Sequence, residues 1–470
     1  MPIEVERVSK LNSQPEHANR KYVLYWAQVN RRVDANHGLL YAVEIANRYK
    51  LPVLYYECLT CAYEHANDRL HTFVVEGVPE TAKRLQKVGV GYVFDLRRTK
   101  DAPDDALYKL ARDAAAVVTD EYPTVIARRH NHRASQQLDA ACYSVDSSCI
   151  VPMKRMEKRE FAAYTIRPKI KRLLPQYLQP LDKVHVKQRF ELQIPNCHTR
   201  ITEKAASNMV AFCEIDHTVA PSLTFEGGRL AAESRLQQFL RNNLKRYAKD
   251  RNQPSKHATS EMSPYLHFGQ ISSLEIAVAV RDYAAKHKLI SDEYLEELIV
   301  RRELAFNYTS HVEDPESLEN LPDWSQEDMR KHAHDKRDPS YTRKQFENAE
   351  TYDPLWNATQ KEMLLRGKIH GYYRMYWGKK IIEWSPTYQE ALDTMVYIHE
   401  RYALDGRDPN TFTNILWCFG LHDRPWYERP IFGRIRSMSS EGMQRKTNTG
   451  AYIQEILQLE KTGKDVNRVA

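Results

Sequence analysis

The feature that most constrains this chain is a change of periodicity part-way along it. Up to about residue 150, short apolar runs alternate with helical segments. The runs are YVLYWAQ at 22–28, LPVLYYEC at 51–58, GYVFDL from 91, AAVVTDE from 115 and CYSVDSS from 142. Between them lie HGLLYAVEIANRYK and helical patterns around 65–88, 104–113 and 124–140. Strands separated by helix-length crossovers predict a parallel sheet covered on both faces, a Rossmann-like α/β unit. From about residue 228 strand signals nearly vanish, and segments such as RLAAESRLQQFLRNNLKRYAKD, SSLEIAVAVRDYAAKHK, DEYLEELIVRRELAFNY and QEALDTMVYIHERYAL carry helical period. The expected fold class is therefore α/β plus all-α. Residues 1–180 form the Rossmann-like domain, the proline-punctuated 181–227 the linker, and 228–470 an all-helical domain.

Length agrees, since 470 residues exceed what one ordinary core organises. No apolar run approaches the roughly 20 residues that span a bilayer, and the first 22 residues lack an apolar signal core, so a cytoplasmic or nuclear location is expected. Seven cysteines, an odd number, include one CxxC at Cys58 and Cys61, with no second CxxC and no HExxH. Free buried thiols and no metal are the expectation. AQVNRR follows the first strand where a dinucleotide-binding fold has GxGxxG, and there is no P-loop, so the α/β unit lacks the usual phosphate grip. A net charge of +7 is too mild to assign a polyanion without location, whereas 28 tyrosines and 7 tryptophans suit a large planar ligand or nucleobases.

The segment KIHGYYRMYWGKKIIEW, Lys368 to Trp384, places His370, Arg374, Trp377, Ile381 and Trp384 on one helical stripe that Pro386 ends. Such a stripe reads as a core seam, and Arg374 is out of place in it. A guanidinium there needs a carboxylate or an anionic ligand, and Asp405 in the turn LDGRDPN is the candidate. Thr259, Ser260 and Ser263 cluster before Pro264, which predicts a helix start with Ser263 as its N-cap. That start is either plain capping or an anion site fit for a pyrophosphate. Ser272 with Glu275 reads as a capping box. The Lys/Arg-rich stretch 154–172, with Phe161 and Tyr164, reads as a polyanion-facing surface or as a solvated helical face.

Taken in order, TSEMSPYLHFGQIS, EELIVRRELAFNY, DPLWNATQKEM, GKIHGYYRMYWGKKIIEW, LDGRDPN and WCFGLHDRPWYERPIFGRIR, with YWAQVNRRVDANHGLLYA near the start and GMQRK near the end, carry a resemblance over most of the chain. It resembles the class II cyclobutane pyrimidine dimer photolyases of the photolyase/cryptochrome superfamily. The resemblance implies a carbon–carbon lyase that splits pyrimidine dimers in DNA with light, using FAD active in its reduced form within the helical domain. It assigns Tyr247, Thr259, Ser260, Met262 and Ser263 to cofactor contacts, with Tyr247, Thr259, Ser260 and Ser263 at its phosphates. Arg374 and Asp405 become an ion pair beside the flavin ring, and Trp377, Trp356 and Trp384, in that order outward, an electron-transfer chain.

Glu297, Met375 and Trp417 match a pocket for the flipped dimer, Arg251 and Asn252 residues that enter the gap left in the duplex, and Arg436, Arg445 and Lys446 a phosphate-contacting segment. The implied partner is dimer-containing DNA, bound by a monomer and without a membrane. The occupant of an antenna site in the α/β domain is left open. Three departures stand out. His399 replaces the asparagine the family usually sets against flavin N5, Arg301 stands where some members have a second aromatic, and His37 stands in place of a tryptophan. The competing expectation is a cryptochrome-like photoreceptor with the same flavin and tryptophans but no repair.

Overall fold

The computed structural model describes residues 2–202 and 206–469. Six strands, β1 (Val8–Lys10), β2 (Tyr22–Ala27), β3 (Val53–Thr60), β4 (Gly91–Arg97), β5 (Ala114–Asp120) and β6 (Ala141–Val145), form one sheet in the order β1-β6-β5-β2-β3-β4. The five strands expected from the sequence are parallel neighbours. The sheet is not purely parallel, because β1 pairs antiparallel with β6 at the edge. Three residues, VSK, carry no apolar run, and an edge strand needs none.

The strands are nearly continuous apolar runs because both faces are covered. Val23, Tyr25, Val53, Tyr55 and Phe94 pack with α1 (His37–Tyr49) and α2 (Asp68–Val88). The intervening Leu24, Leu54, Tyr56 and Val93 pack with α3 (Ala106–Ala111) and α4 (Val125–Gln137) on the opposite face. The missing glycine fingerprint has a structural counterpart. At the switch of strand order between β2 and β5, Asp120 Oδ2 accepts the N–H groups of Gln28, Val29 and Asn30 at 3.0, 2.8 and 2.9 Å. The chain's own carboxylate thus sits where this fold presents backbone donors to a phosphate.

The same edge of the sheet is covered by the helical half. Arg32 donates to Gly269 O at 3.3 Å, Arg302 to Ser148 O at 2.6 Å, and Tyr122 Oη to Asp408 Oδ2 at 2.9 Å. Glu303 Oε1 accepts from the amides of Ile150 and Val151. Gly269 has φ +66, and a Cβ there would lie 2.0 Å from Val29 O, so only glycine permits this approach.

Beyond residue 228 the described residues form helices and short turns with no named strand. The expected solvated surface at 154–172 holds in part, since the helix Ala163–Tyr177 leaves Tyr164 exposed while burying Ile166, Ile170 and Leu173. The Ser272–Glu275 capping box does not form. Ser272 accepts from Leu274 N, but Glu275 turns to the buried Arg229 guanidinium, a stronger partner for a carboxylate than a backbone amide. All seven cysteines are free. No helix among the described residues is long and apolar enough to cross a membrane.

Candidate active site

The stripe helix runs Gly371–Trp384, three residues shorter at its start than the sequence pattern. His370 is its N-cap, with Nδ1 accepting from Tyr372 N at 3.2 Å, so it leaves the stripe to satisfy an orphan amide of the first turn. Arg374, Trp377, Ile381 and Trp384 keep the shared face. Arg374 Nη2 donates to both Asp405 oxygens at 3.0 and 3.1 Å, with side chains only 12% and 7% exposed. The counter-ion the stripe demanded is therefore Asp405. Burial by itself raises the Asp405 carboxyl, but the Arg374 and Lys368 charges and a hydrogen bond from Ser263 outweigh it and hold it below the usual carboxylate range.

Asp405 is placed by the turn after the helix Tyr388–Tyr402. Thr411 Oγ1 donates to its backbone oxygen at 2.6 Å, and Gly406 presses so close that a Cβ would lie 2.0 Å from His399 O. Ser263 is not the N-cap the sequence suggests. Met262 holds that position, Ser263 and Pro264 begin the helix Ser263–His267, and the Ser263 hydroxyl donates to Asp405 Oδ2 at 2.7 Å. A charged acceptor is the better partner for a hydroxyl than a first-turn amide.

These groups enclose a cavity of about 600 Å³, within the ~300–1,000 Å³ usual for small-molecule sites. Tyr247, Thr259, Ser260, Met262 and Ser263 form one wall. Arg374, Trp377, His399 and Asp405 form another. Glu297, Met375 and Trp417, with Arg251, Asn252 and Arg436, also line it. Glu297 sits on a single π-helical turn, Glu296–Arg301, whose Leu298, Ile299 and Val300 are buried. Such turns re-aim side chains and concentrate at functional sites. Arg301 lies with its guanidinium 5.2 Å from the centre of the Trp417 ring, so a cation faces the indole.

Trp356 and Trp384 do not line the cavity; they lie behind Trp377. The Trp377 and Trp356 rings are 6.3 Å apart and nearly parallel, at 7°, and Trp384 is 6.2 Å beyond Trp356. All three are at most 1% exposed. Each buried indole removes about 200 Å² from water, on the order of 5 kcal/mol at about 25 cal/mol per Å². The seam is thus core, with its indoles in a continuous line of ring contacts. Arg445 and Lys446 also stand off the cavity, on the helix Ser440–Lys446, held beside the 251–253 loop by a bond from Gln253 Nε2 to Lys446 O at 2.7 Å.

Two contributors were missed in the sequence. Gln360 accepts the Trp377 indole N–H at 2.9 Å, and its signal was its place one turn after Trp356. Lys368 pairs with the half-buried Glu261 at 2.5 Å. Glu261 has φ +57, a loop conformation that sequence periodicity does not announce.

Within this wall two buried nitrogens, Arg374 Nε and His399 Nε2, have no hydrogen-bond partner among the described residues. Unpaired buried donors and acceptors are costly, and here both belong to residues lining the cavity. The site is therefore built for a large ligand with polar groups on that side, hydroxyl contacts along another wall, and an aromatic stack behind.

A family model described as DNA photolyase matches residues 23–187. The deoxyribodipyrimidine photo-lyase of Methanothermobacter thermautotrophicus is 39% identical over 97% of this chain and 98% of its own. That of Arabidopsis thaliana is 34% identical over 97% of this chain and 93% of its own. Among solved structures, a bacterial class III photolyase from Agrobacterium tumefaciens shares the fold with a TM-score of 0.67 at 16% identity, over 94% of this chain and 88% of that one. With full-length relatives at these identities, the chain belongs to the DNA photolyase family.

Proposed function

We propose that the protein splits cyclobutane pyrimidine dimers in DNA under blue light, with a reduced FAD in the cavity. The residues fit that group. Arg374 and His399 offer unpaired nitrogens, the buried ion pair fixes Arg374, and Thr259, Ser260 and Ser263 line the cavity with hydroxyls, of which Thr259 and Ser263 donate to Glu261 and Asp405 here and would turn to phosphates only by giving up those bonds. When bound, FAD supplies a light-absorbing one-electron donor. The chain's own groups do the rest. The Arg374 guanidinium would supply positive charge to an anionic ring bound in the cavity. Trp377, Trp356 and Trp384 relay electrons inward through edge and stacking contacts.

At the mouth, Glu297 holds the edge of a flipped thymine while Met375 and Trp417 pack against the bases. Arg251 and Asn252 fill the gap in the duplex, and Arg436, Arg445 and Lys446 neutralise phosphates. Flipping costs a few kcal/mol and least for a badly stacked lesion, which selects damage without reading sequence.

The observation that carries this reading is convergence. The Arg374–Asp405 pair and the tryptophan stack meet the same cavity that bears Glu297, Met375, Trp417 and Arg251. The test is blue-light exposure of the FAD-loaded, reduced protein with dimer-containing DNA. Recovery of thymine absorbance above a dark control is the expected result. A protein that photoreduces yet leaves the dimers intact is instead a photoreceptor of the cryptochrome kind.

A further inference from the structure

His399 stands in the last full turn of the helix Tyr388–Tyr402, 1% exposed, with its ring edge-on to Trp377 at 5.0 Å between centres. Nδ1 lies 2.8 Å from Met395 O. A carbonyl oxygen only accepts, so Nδ1 carries the ring proton and Nε2 presents a lone pair. Nε2 has no partner among the described residues, and His399 lines the cavity. An asparagine at this point rotates its amide to offer either a donor or an acceptor. The imidazole, pinned by Met395, does not.

We propose that His399 is a fixed hydrogen-bond acceptor that makes the cavity prefer the form of its ligand carrying an N–H at this wall, which for a flavin is the reduced form. The inference rests on the flavin reading and deepens it. Oxidised flavin has one unsubstituted nitrogen in its central ring, whose lone pair would face another lone pair here, whereas reduced flavin carries an N–H at that nitrogen that Nε2 would accept. The surroundings keep the ring in this role. Burial, and then the nearby Arg374 charge, push its pKa down to about 3, with the Met395 bond and the Asp405 carboxylate opposing. Arg374 and Asp405 are the charged groups facing it, and they are tied to each other.

Two measurements test the proposal. Nitrogen NMR of the histidine-labelled full chain reads the tautomer without any cofactor. A protonated Nδ1 and bare Nε2 are expected for His399, and a protonated Nε2 overturns the proposal. Separately, the dissociation constants of oxidised and chemically reduced FAD are measured for the wild type, His399→Ala and His399→Asn. The preference for reduced FAD should fall about tenfold in His399→Ala, the upper range for one neutral hydrogen bond, equal to about 30 mV in midpoint potential for a two-electron couple. It should fall less in His399→Asn, whose amide turns its oxygen inward. Binding of both forms with the same ratio in all three proteins overturns this inference alone. Binding of neither form by the wild type overturns the flavin reading and the inference together.

Discussion

Arg251 Nη1 donates to Glu297 Oε1 across 2.6 Å at the rim of the cavity, tying together two residues to which the proposed function gives different parts of the substrate. The guanidinium also lies 5.8 Å from the centre of the Tyr247 ring, so one residue links Glu297 to Tyr247 across the cavity lining. With side chains 30% and 41% exposed, the pair is a rim contact of the kind worth about 1 kcal/mol or less, and entering DNA displaces it at little cost. Arg251→Ala should weaken binding of dimer-containing duplex and reduce the salt dependence of its logarithm by about one unit. Glu297→Gln should leave binding nearly unchanged and lower turnover about 10- to 100-fold, the loss of one hydrogen bond to a charged group. Binding isotherms over a salt series, run beside repair rates, separate the two. Equal losses of affinity in both variants contradict this division.

The relay makes a second prediction. Trp377 is the one tryptophan of the stack that lines the cavity, and its indole N–H is fixed by Gln360 while its backbone oxygen accepts from Trp356 Nε1 at 3.0 Å. Trp377→Phe should abolish photoreduction of oxidised FAD while sparing repair by chemically reduced enzyme. Absorption spectra during illumination check the first half, and repair assays under dithionite the second. Photoreduction at the wild-type rate would remove Trp377 from the chain.

These roles were unevenly legible in the sequence. Periodicity carried the five main strands and the stripe helix because burial on two faces, or on one seam, forces a pattern on side chains. The Arg374–Asp405 pair was legible from one residue, since a guanidinium on an apolar stripe demands a counter-ion. Ser263 was misread because competition between a first-turn amide and a distant carboxylate is decided by tertiary approach. Glu261, Gly406 and the π-helical turn at Glu297 depend on backbone conformation that local pattern does not encode. The Arg301–Trp417 contact was invisible because its partners are 116 positions apart in the chain and are brought together only by packing.

The ion pair itself gives a third prediction. Asp405→Asn leaves the Arg374 charge buried without a counter-charge, its remaining acceptors being the neutral amide oxygen and Ile369 O at 3.4 Å. Breaking a buried pair from one side costs about 3–5 kcal/mol, so the variant should unfold at lower urea and lose FAD on gel filtration. Replacing Ser263 by Ala removes one neutral donor from the same carboxylate and should cost about 1 kcal/mol. A stable Asp405→Asn variant that retains flavin contradicts the role given to the pair.

Acid should destabilise the protein through histidines buried neutral. Burial is the leading cause that lowers His71, His370 and His422 from 6.5 to about 4, and His399 to about 3. His370 shows why neutrality is structural, since its Nδ1 lone pair caps the stripe helix and a proton there removes the cap. In each case the unfolded chain binds the proton more tightly than the folded one. The stability contribution is therefore complete above pH 6.5 and is lost as pH falls towards the folded values. Each group adds a slope of up to about 1.4 kcal/mol per pH unit inside its window. Urea midpoints should drop steadily below pH 6.5, and His370→Asn, which keeps an accepting cap but cannot titrate, should flatten that fall. A midpoint independent of pH between 6.5 and about 4 would show that these rings are solvated and already charged in the folded protein.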